Sequence, residues 1–228
     1  MWESIGQRAA EIRARIEAAA RRAGREPQQV TLIAVTKVLP AEAIRAAYDA
    51  GLRHFGENYV QEFERKLPAV ADLPGACFHL IGHLQSNKAR RAVQAFDVIQ
   101  TVDSGRLARR LDEAAAVFKP GLRLPVMIEV KLSPEETKSG VPAAELGALV
   151  EAVRACPHLE LRGLMTMPPF SEDPEDSRPY FRKLRELAEA FGLPELSMGM
   201  SQDFEVAIEE GATHVRIGTA LFGPREAA

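Results

Sequence analysis

The chain alternates between short apolar runs and longer stretches in which apolar residues recur every three or four positions among charged ones. The first long stretch, Ser4 to Ala23, carries Ile5, Ala9, Ile12, Ile16, Ala19 and Ala23 at helical spacing and meets Gly24 as a stop. From Thr31 onward the two patterns take turns. Thr31 to Thr36 has the length and β-branched content of a buried parallel strand, and a helix over about Ala41 to Ala50 follows, stopped at Gly51. The same unit is predicted as Arg53 to Gly56 with Tyr59 to Lys66, Cys77 to Ile81 with Ser86 to Ala95, and Asp97 to Val102 with Ser104 to Phe118. It continues as Leu124 to Val130 with Ala143 to Ala155, Leu161 to Met167 with Pro174 to Phe191, and Glu195 to Met200 with Gln202 to Glu210. His214 to Ile217 and a last short helix close the series.

Eight strands alternating with helices over 228 residues predict an α/β fold, a single (β/α)8 barrel of the TIM type. The extra N-terminal helix, about 4–23, is expected to cap the barrel's bottom or join its outer ring, and the barrel itself to span about 31–223 within one domain, 1–228. The competing architecture is a doubly wound open sheet. That fold usually carries GxGxxG after its first strand, and Thr36-Lys37-Val38-Leu39-Pro40 has no glycine. Met167 to Asp176 reads as a long loop, Pro-rich and then acidic.

Composition narrows the chemistry. A net charge of -3 gives no general attraction to nucleic acid or anionic membranes, so an anion site has to be local and the ligand small. Cys77 and Cys156 stand far apart, with no CxxC pair and no Cys/His cluster, which argues against a disulfide scaffold and against a zinc or other metal site. This usage fits a reducing cytoplasm. The N-terminus has no apolar signal core, and no stretch approaches the ~20 apolar residues of a membrane span.

In a barrel of this kind the chemistry collects at the carboxyl ends of the strands. Lys37 sits at the end of the first one, where apolar walls would desolvate its amine and suit it to imine formation with an aldehyde; the plainer reading is a solvated lysine in a βα turn. The other ends present Gly56-Glu57-Asn58-Tyr59, His79 with His83, Glu129 with Lys131, and Met165-Thr166-Met167. The last two are the more specific. Gly199-Met200-Ser201 is expected to open a helix with Ser201 at its N-cap, and Gly218-Thr219 to open the final one, a pairing that suits a phosphate held between the seventh and eighth strands. Ordinary capping without an anion is the alternative at each turn taken alone.

Arg216 alternates with Val215 and Ile217, so it answers either a structural carboxylate such as Glu129 or a ligand's ring nitrogen or phosphate. His79 and His83 read as positioning or structural groups, and their spacing does not form a metal pair. Met165 and Met167 are most simply core, or a wall for an aromatic ligand. Lys88-Ala89-Arg90-Arg91 reads as a solvated helix face.

A lysine able to form an imine, together with a phosphate cradle across the same mouth, is the minimum kit for pyridoxal 5'-phosphate. The blocks Leu32 to Lys37, Phe55 to Tyr59, His79 to Lys88, Gly163 to Met167, Leu196 to Ser201 and Val215 to Gly223 resemble the pyridoxal phosphate homeostasis proteins nearly end to end. The resemblance implies a barrel similar to the N-terminal domain of alanine racemase, fold type III, without that enzyme's C-terminal β-domain. It implies that Lys37 is the covalent aldimine lysine, that Ser201, Gly218 and Thr219 hold the phosphate, that Arg216 faces the pyridine nitrogen, and that Asn58 and Met165 lie close to the cofactor. It also implies a role in binding, buffering or delivering the cofactor, with PLP-dependent apoenzymes as candidate recipients.

Two other functions stand beside that one. The first is a racemase-like enzyme acting on amino acids, with Tyr59 or His79 as second base. A permanently charged Arg216 at the pyridine nitrogen would make the ring a poorer electron sink, and an open mouth favours exchange over protected carbanion chemistry. The second is a cofactor-free aldolase using Lys37, which nothing else in the chain supports. A monomer is expected.

Overall fold

The computed structural model describes residues 4–133, 135 and 139–224. Nine parallel strands are β1 Thr31–Val35, β2 His54–Glu57, β3 Cys77–Leu80, β4 Val98–Val102, β5 Leu124–Lys131, β6 Val141–Pro142, β7 Leu159–Met165, β8 Glu195–Ser197 and β9 His214–Ile217. They are ordered β4-β3-β2-β1-β9-β8-β7-β5, and a β4–β5 pairing closes the ring. The two-residue β6 hangs on the outer end of β5, so the barrel proper has eight strands, as the alternation of patterns predicts.

The helices are α1 Ile5–Arg22, α2 Ala41–Asp49, α3 Val60–Lys66, α4 Ala89–Ala95, α5 Gly105–Phe118, α6 Leu146–Arg154, α7 Arg178–Ala190, α8 Phe204–Glu209 and α9 Thr219–Phe222. Several begin with a 3-10 turn, as at Ser86–Lys88, Ala143–Glu145 and Pro174–Ser177. Among the described residues no helix is long and apolar enough to cross a membrane. α1 joins the outer ring: Arg15 pairs with Glu205 and Arg22 with Glu209, which fastens it to α8, while Arg13 donates to the carbonyl of Gly51 after α2.

Each strand divides its side chains between two cores. Leu124, Val126, Ile128 and Val130 of β5 belong to the apolar layer shared with the helices, whereas Met127 and Glu129 are buried outside that layer, toward the axis. The axial core is unusually polar: His79, Gln100, Glu129, Ser197 and Arg216 are all buried there. Buried polar groups need partners, so His79, Gln100, Ser197 and Arg216 organise one another and, through Arg216, the mouth.

Two strands end at least two residues earlier than the hydrophobic pattern predicts. β7 runs from Leu159 to Met165, two residues toward the N-terminus of its expected span, which leaves Met167 in the loop ahead of Pro168-Pro169. β8 stops at Ser197 because Gly199 turns with φ 92°, where a Cβ would stand 2.5 Å from that of Ala207.

Candidate functional site

A cavity of about 530 Å³ opens at the carboxyl ends of the strands. Lys37, Asn58, Ser201, Arg216, Gly218 and Thr219 all line it, so six of the residues singled out in the sequence meet at one mouth. Val35, Ile81, Met167 and Phe170 supply apolar wall.

Lys37 is half-buried in a tight turn in which the Leu39 amide donates to the Thr36 carbonyl at 3.1 Å. The next residue, Val38, has φ 57°, a left-handed conformation that a β-branched side chain resists. Polar groups behind the turn hold it. Val38 N donates to Glu62 Oε1 at 2.6 Å, and Lys66 Nζ donates to the Thr36 carbonyl at 3.0 Å and to Glu57 Oε1 at 2.8 Å. Thr36 Oγ1 donates to the same Glu57 oxygen at 2.7 Å. Burial pushes the Glu57 carboxyl above its ordinary range, and Lys66 and the Thr36 hydroxyl pull it back. Lys66 lies between Glu57 and Glu62, so the lysine turn rests on a compensated buried charge.

Arg216, on β9, is 4% exposed. Its Nη1 donates to Ser197 Oγ at 2.7 Å and its Nη2 to the Thr166 carbonyl at 2.9 Å. Burial lowers its pKa to about 10, with Glu129 and Asp203 opposing the shift, so it remains a cation at neutral pH. The polar chain continues inward. Ser197 Oγ donates to Gln100 Oε1 at 2.6 Å, which leaves the Gln100 amide to donate to His79 Nδ1 at 3.1 Å. His79 then carries its proton on Nε2 and donates it to His54 Nδ1 at 3.0 Å. One directed chain of hydrogen bonds therefore runs from the mouth to the barrel floor.

The turns after β8 and β9 meet through Ser201, whose Oγ accepts the Ala220 amide at 3.2 Å. Gly218 caps α9 as expected, and the first amides of a helix have no partner within it. Ser201 is not a helix cap, contrary to expectation. α8 starts only at Phe204, because Asp203 Oδ1 accepts the Met200 amide at 2.7 Å and Oδ2 accepts the Ser177 hydroxyl at 2.8 Å, which orders Met200 to Asp203 as turns.

Three expected positions fall elsewhere. Met165 is fully buried at the end of β7, and Met167 lines the cavity in its place, a consequence of the two-residue shift of that strand. Tyr59 is 57% exposed and outside the lining. His79 lies inside the barrel, 2% exposed, where burial, His214, His54 and Arg162 hold its pKa well below the ordinary histidine range. It is a link in the axial hydrogen-bond chain and does not line the cavity. His83 is exposed beside Asp103. The sequence gives no signal for Asp203, whose role depends on two distant partners, or for the loop residues Pro169 to Ser171.

The alanine racemase N-terminal domain family matches residues 8–226 of the chain. The pyridoxal phosphate homeostasis protein of Aquifex aeolicus is 46% identical over 226 residues, covering 96% of this chain and 98% of that one. The chain belongs to the pyridoxal phosphate homeostasis protein family. The solved structure of PipY of Synechococcus elongatus with PLP bound superposes with a TM-score of 0.84 at 42% identity, covering 96% of this chain and all of that one (100%). Alanine racemase of Corynebacterium glutamicum, at 20% identity and a TM-score of 0.71, shares the fold; the match covers 98% of this chain and 62% of the racemase.

Proposed function

We propose that this protein holds pyridoxal 5'-phosphate reversibly at the Lys37 mouth and serves intracellular homeostasis of that cofactor. The observation that carries the reading is the convergence of Lys37, Arg216 and the Ser201–Gly218–Thr219 turns on one cavity of about 530 Å³, a size that suits a small phosphorylated aromatic molecule. The donor set fits as well: an amine for an aldehyde, hydroxyl and amide donors for a phosphate, a guanidinium for a ring nitrogen, and apolar wall for a ring.

When bound, the cofactor supplies an aldehyde that an amine captures reversibly and a ring that withdraws electrons. The chain's residues do the rest. Lys37 Nζ is the covalent anchor, and the Thr36–Leu39 turn, pinned by Glu62 and Lys66, fixes the direction of approach. Ser201, Gly218 and Thr219 would hold the phosphate, and Asn58 and Met167, which line the same cavity, would supply wall for the ring. Arg216, fixed by Ser197 and Thr166, presents a permanent positive charge to the cavity, which would disfavour protonation of a ring nitrogen beside it and so weaken electron withdrawal. Neither Tyr59 nor His79 lines the cavity, which favours holding over racemisation.

Handover by contact belongs to the same reading. Four large exposed hydrophobics, Val38, Tyr59, Phe170 and Met200, either line the cavity or follow a residue that does, and they offer a PLP-dependent apoenzyme an apolar rim. We assign the protein to the cytoplasm as a monomer, and a light-scattering mass tests the oligomeric state.

The experiment is spectroscopic. Purified protein given pyridoxal phosphate should develop the absorbance of a lysine-bound cofactor, and Lys37→Ala should abolish it while remaining folded. Protein that stays colourless defeats the proposal. Cα deuterium exchange across a panel of amino acids separates holding from catalysis, since sustained turnover beyond stoichiometry would assign an enzyme.

A further inference from the structure

The barrel floor, at the opposite end from Lys37, brings His54 to the Cys77-Phe78-His79 segment. Parallel pairing sets His54, the first residue of β2, beside Cys77, the first of β3, and His79 follows two positions later on the same face. The expectation of no Cys/His cluster is corrected here, because the β2–β3 register sets His54 beside the Cys77-Phe78-His79 segment. One donor atom from each residue lies within 4.8 Å of the others. His54 Nδ1 and His79 Nε2 are 3.0 Å apart, and Cys77 Sγ is 3.4 Å from the same His79 nitrogen.

We propose that His54, Cys77 and His79 form a site for a divalent cation of the zinc class. Tetrahedral zinc with ordinary Zn–N and Zn–S bonds sets its ligand nitrogens about 3.3 Å apart and nitrogen from sulfur about 3.6 Å apart. The two separations from His79 Nε2 fall a few tenths of an ångström short, and His54 and Cys77 stand within 4.8 Å of each other, so a small movement of the two rings and the thiol admits the ion. Two imidazoles and a thiol select zinc over magnesium or calcium, which require oxygen.

Access and the outer shell support the site. His54 is half-buried and lines a groove beneath α1, with Arg13 and Thr31, so the ion and a fourth ligand, water, enter from the floor. Binding exchanges the Cys77 S–H bond for a sulfur–metal bond, and the proton leaves to solvent. On His79 the metal takes Nε2 and the ring proton moves to Nδ1, where Gln100 meets it by turning its amide to present Oε1; Ser197 Oγ then accepts from Gln100 Nε2 and no longer donates to it.

The test is a Co2+ titration of metal-free, full-length protein. A thiolate-to-cobalt charge-transfer band should saturate at one ion per chain and disappear on adding Zn2+. Cys77→Ser should remove the band, and His54→Asn, at the half-exposed position, should weaken binding at least about tenfold, with circular dichroism confirming that both fold. Lys37→Ala should still bind one ion, so failure of this site and failure of the cofactor reading are separately visible. A folded wild type with no saturable band, or binding unchanged in both floor variants, overturns the proposal.

Discussion

The backbone amide of Val38 donates to Glu62 Oε1 at 2.6 Å from a residue whose φ is 57°. A valine in that region costs on the order of 1–3 kcal/mol, and the strain sits one residue from the proposed covalent anchor. Glycine adopts the same φ without penalty but enlarges the unfolded ensemble. Val38→Gly is therefore expected to gain about 1 kcal/mol in urea unfolding and to weaken retention of pyridoxal phosphate, because the turn presenting Lys37 loosens. A variant less stable than wild type with unchanged cofactor release would show that the strain has no such role.

Strand-end chemistry was legible because it follows from periodicity: once eight runs alternate with helices, Lys37, Asn58, Arg216 and the Gly218 turn fall at one end of the barrel, and the structure brings them to one cavity. What escaped the sequence depends on register and long-range pairing. The two-residue shift of β7 exchanges Met165 for Met167, since apolar runs mark a strand without marking where its hydrogen bonds stop. Ser201 looks like a cap until Asp203 is seen to take the Met200 amide. His54 and Cys77 become neighbours only through the β2–β3 register.

Glu129 gives the interior a pH signature. Burial raises its carboxyl to about 7; Arg216 opposes the rise, Asp103 adds to it, and Oε2 has no hydrogen-bond partner. The unfolded chain releases this proton near 4.5, so the group's stabilising contribution is complete below that pH and is lost as pH rises to about 7. The loss is of order 3 kcal/mol. His214, lowered to about 4 by burial and then by His54, Arg216 and Arg162, works in the opposite sense: its contribution is present above 6.5 and lost as pH falls toward 4. Comparison with Glu129→Gln isolates the carboxyl, since the histidine is common to both proteins. Urea midpoints at about pH 5 and about pH 8 should show the variant gaining on wild type at the higher pH. Parallel pH profiles would refute the assignment.

Gly82 separates positioning from contact at Asn58. A Cβ on Gly82 would stand 2.3 Å from the Asn58 carbonyl oxygen and 2.7 Å from its Cα, and both are backbone atoms that cannot rotate away. The Gly82 carbonyl is itself held by Thr101 Oγ1 at 2.8 Å, so the two segments cannot simply drift apart. Gly82→Ala is expected to lose about 1–3 kcal/mol of stability and to displace Asn58 from the cavity wall, with faster release of pyridoxal phosphate. Asn58→Ala keeps the backbone in place, so it should speed release with little change in the unfolding midpoint. Gly6→Ala is the control: nothing lies within 4 Å of its added Cβ, and an exposed helical site should gain about 0.5–1 kcal/mol with release unaltered. If Gly82→Ala matched Gly6→Ala in both readouts, the close approach of the β2 and β3 loops would have no part in shaping the mouth.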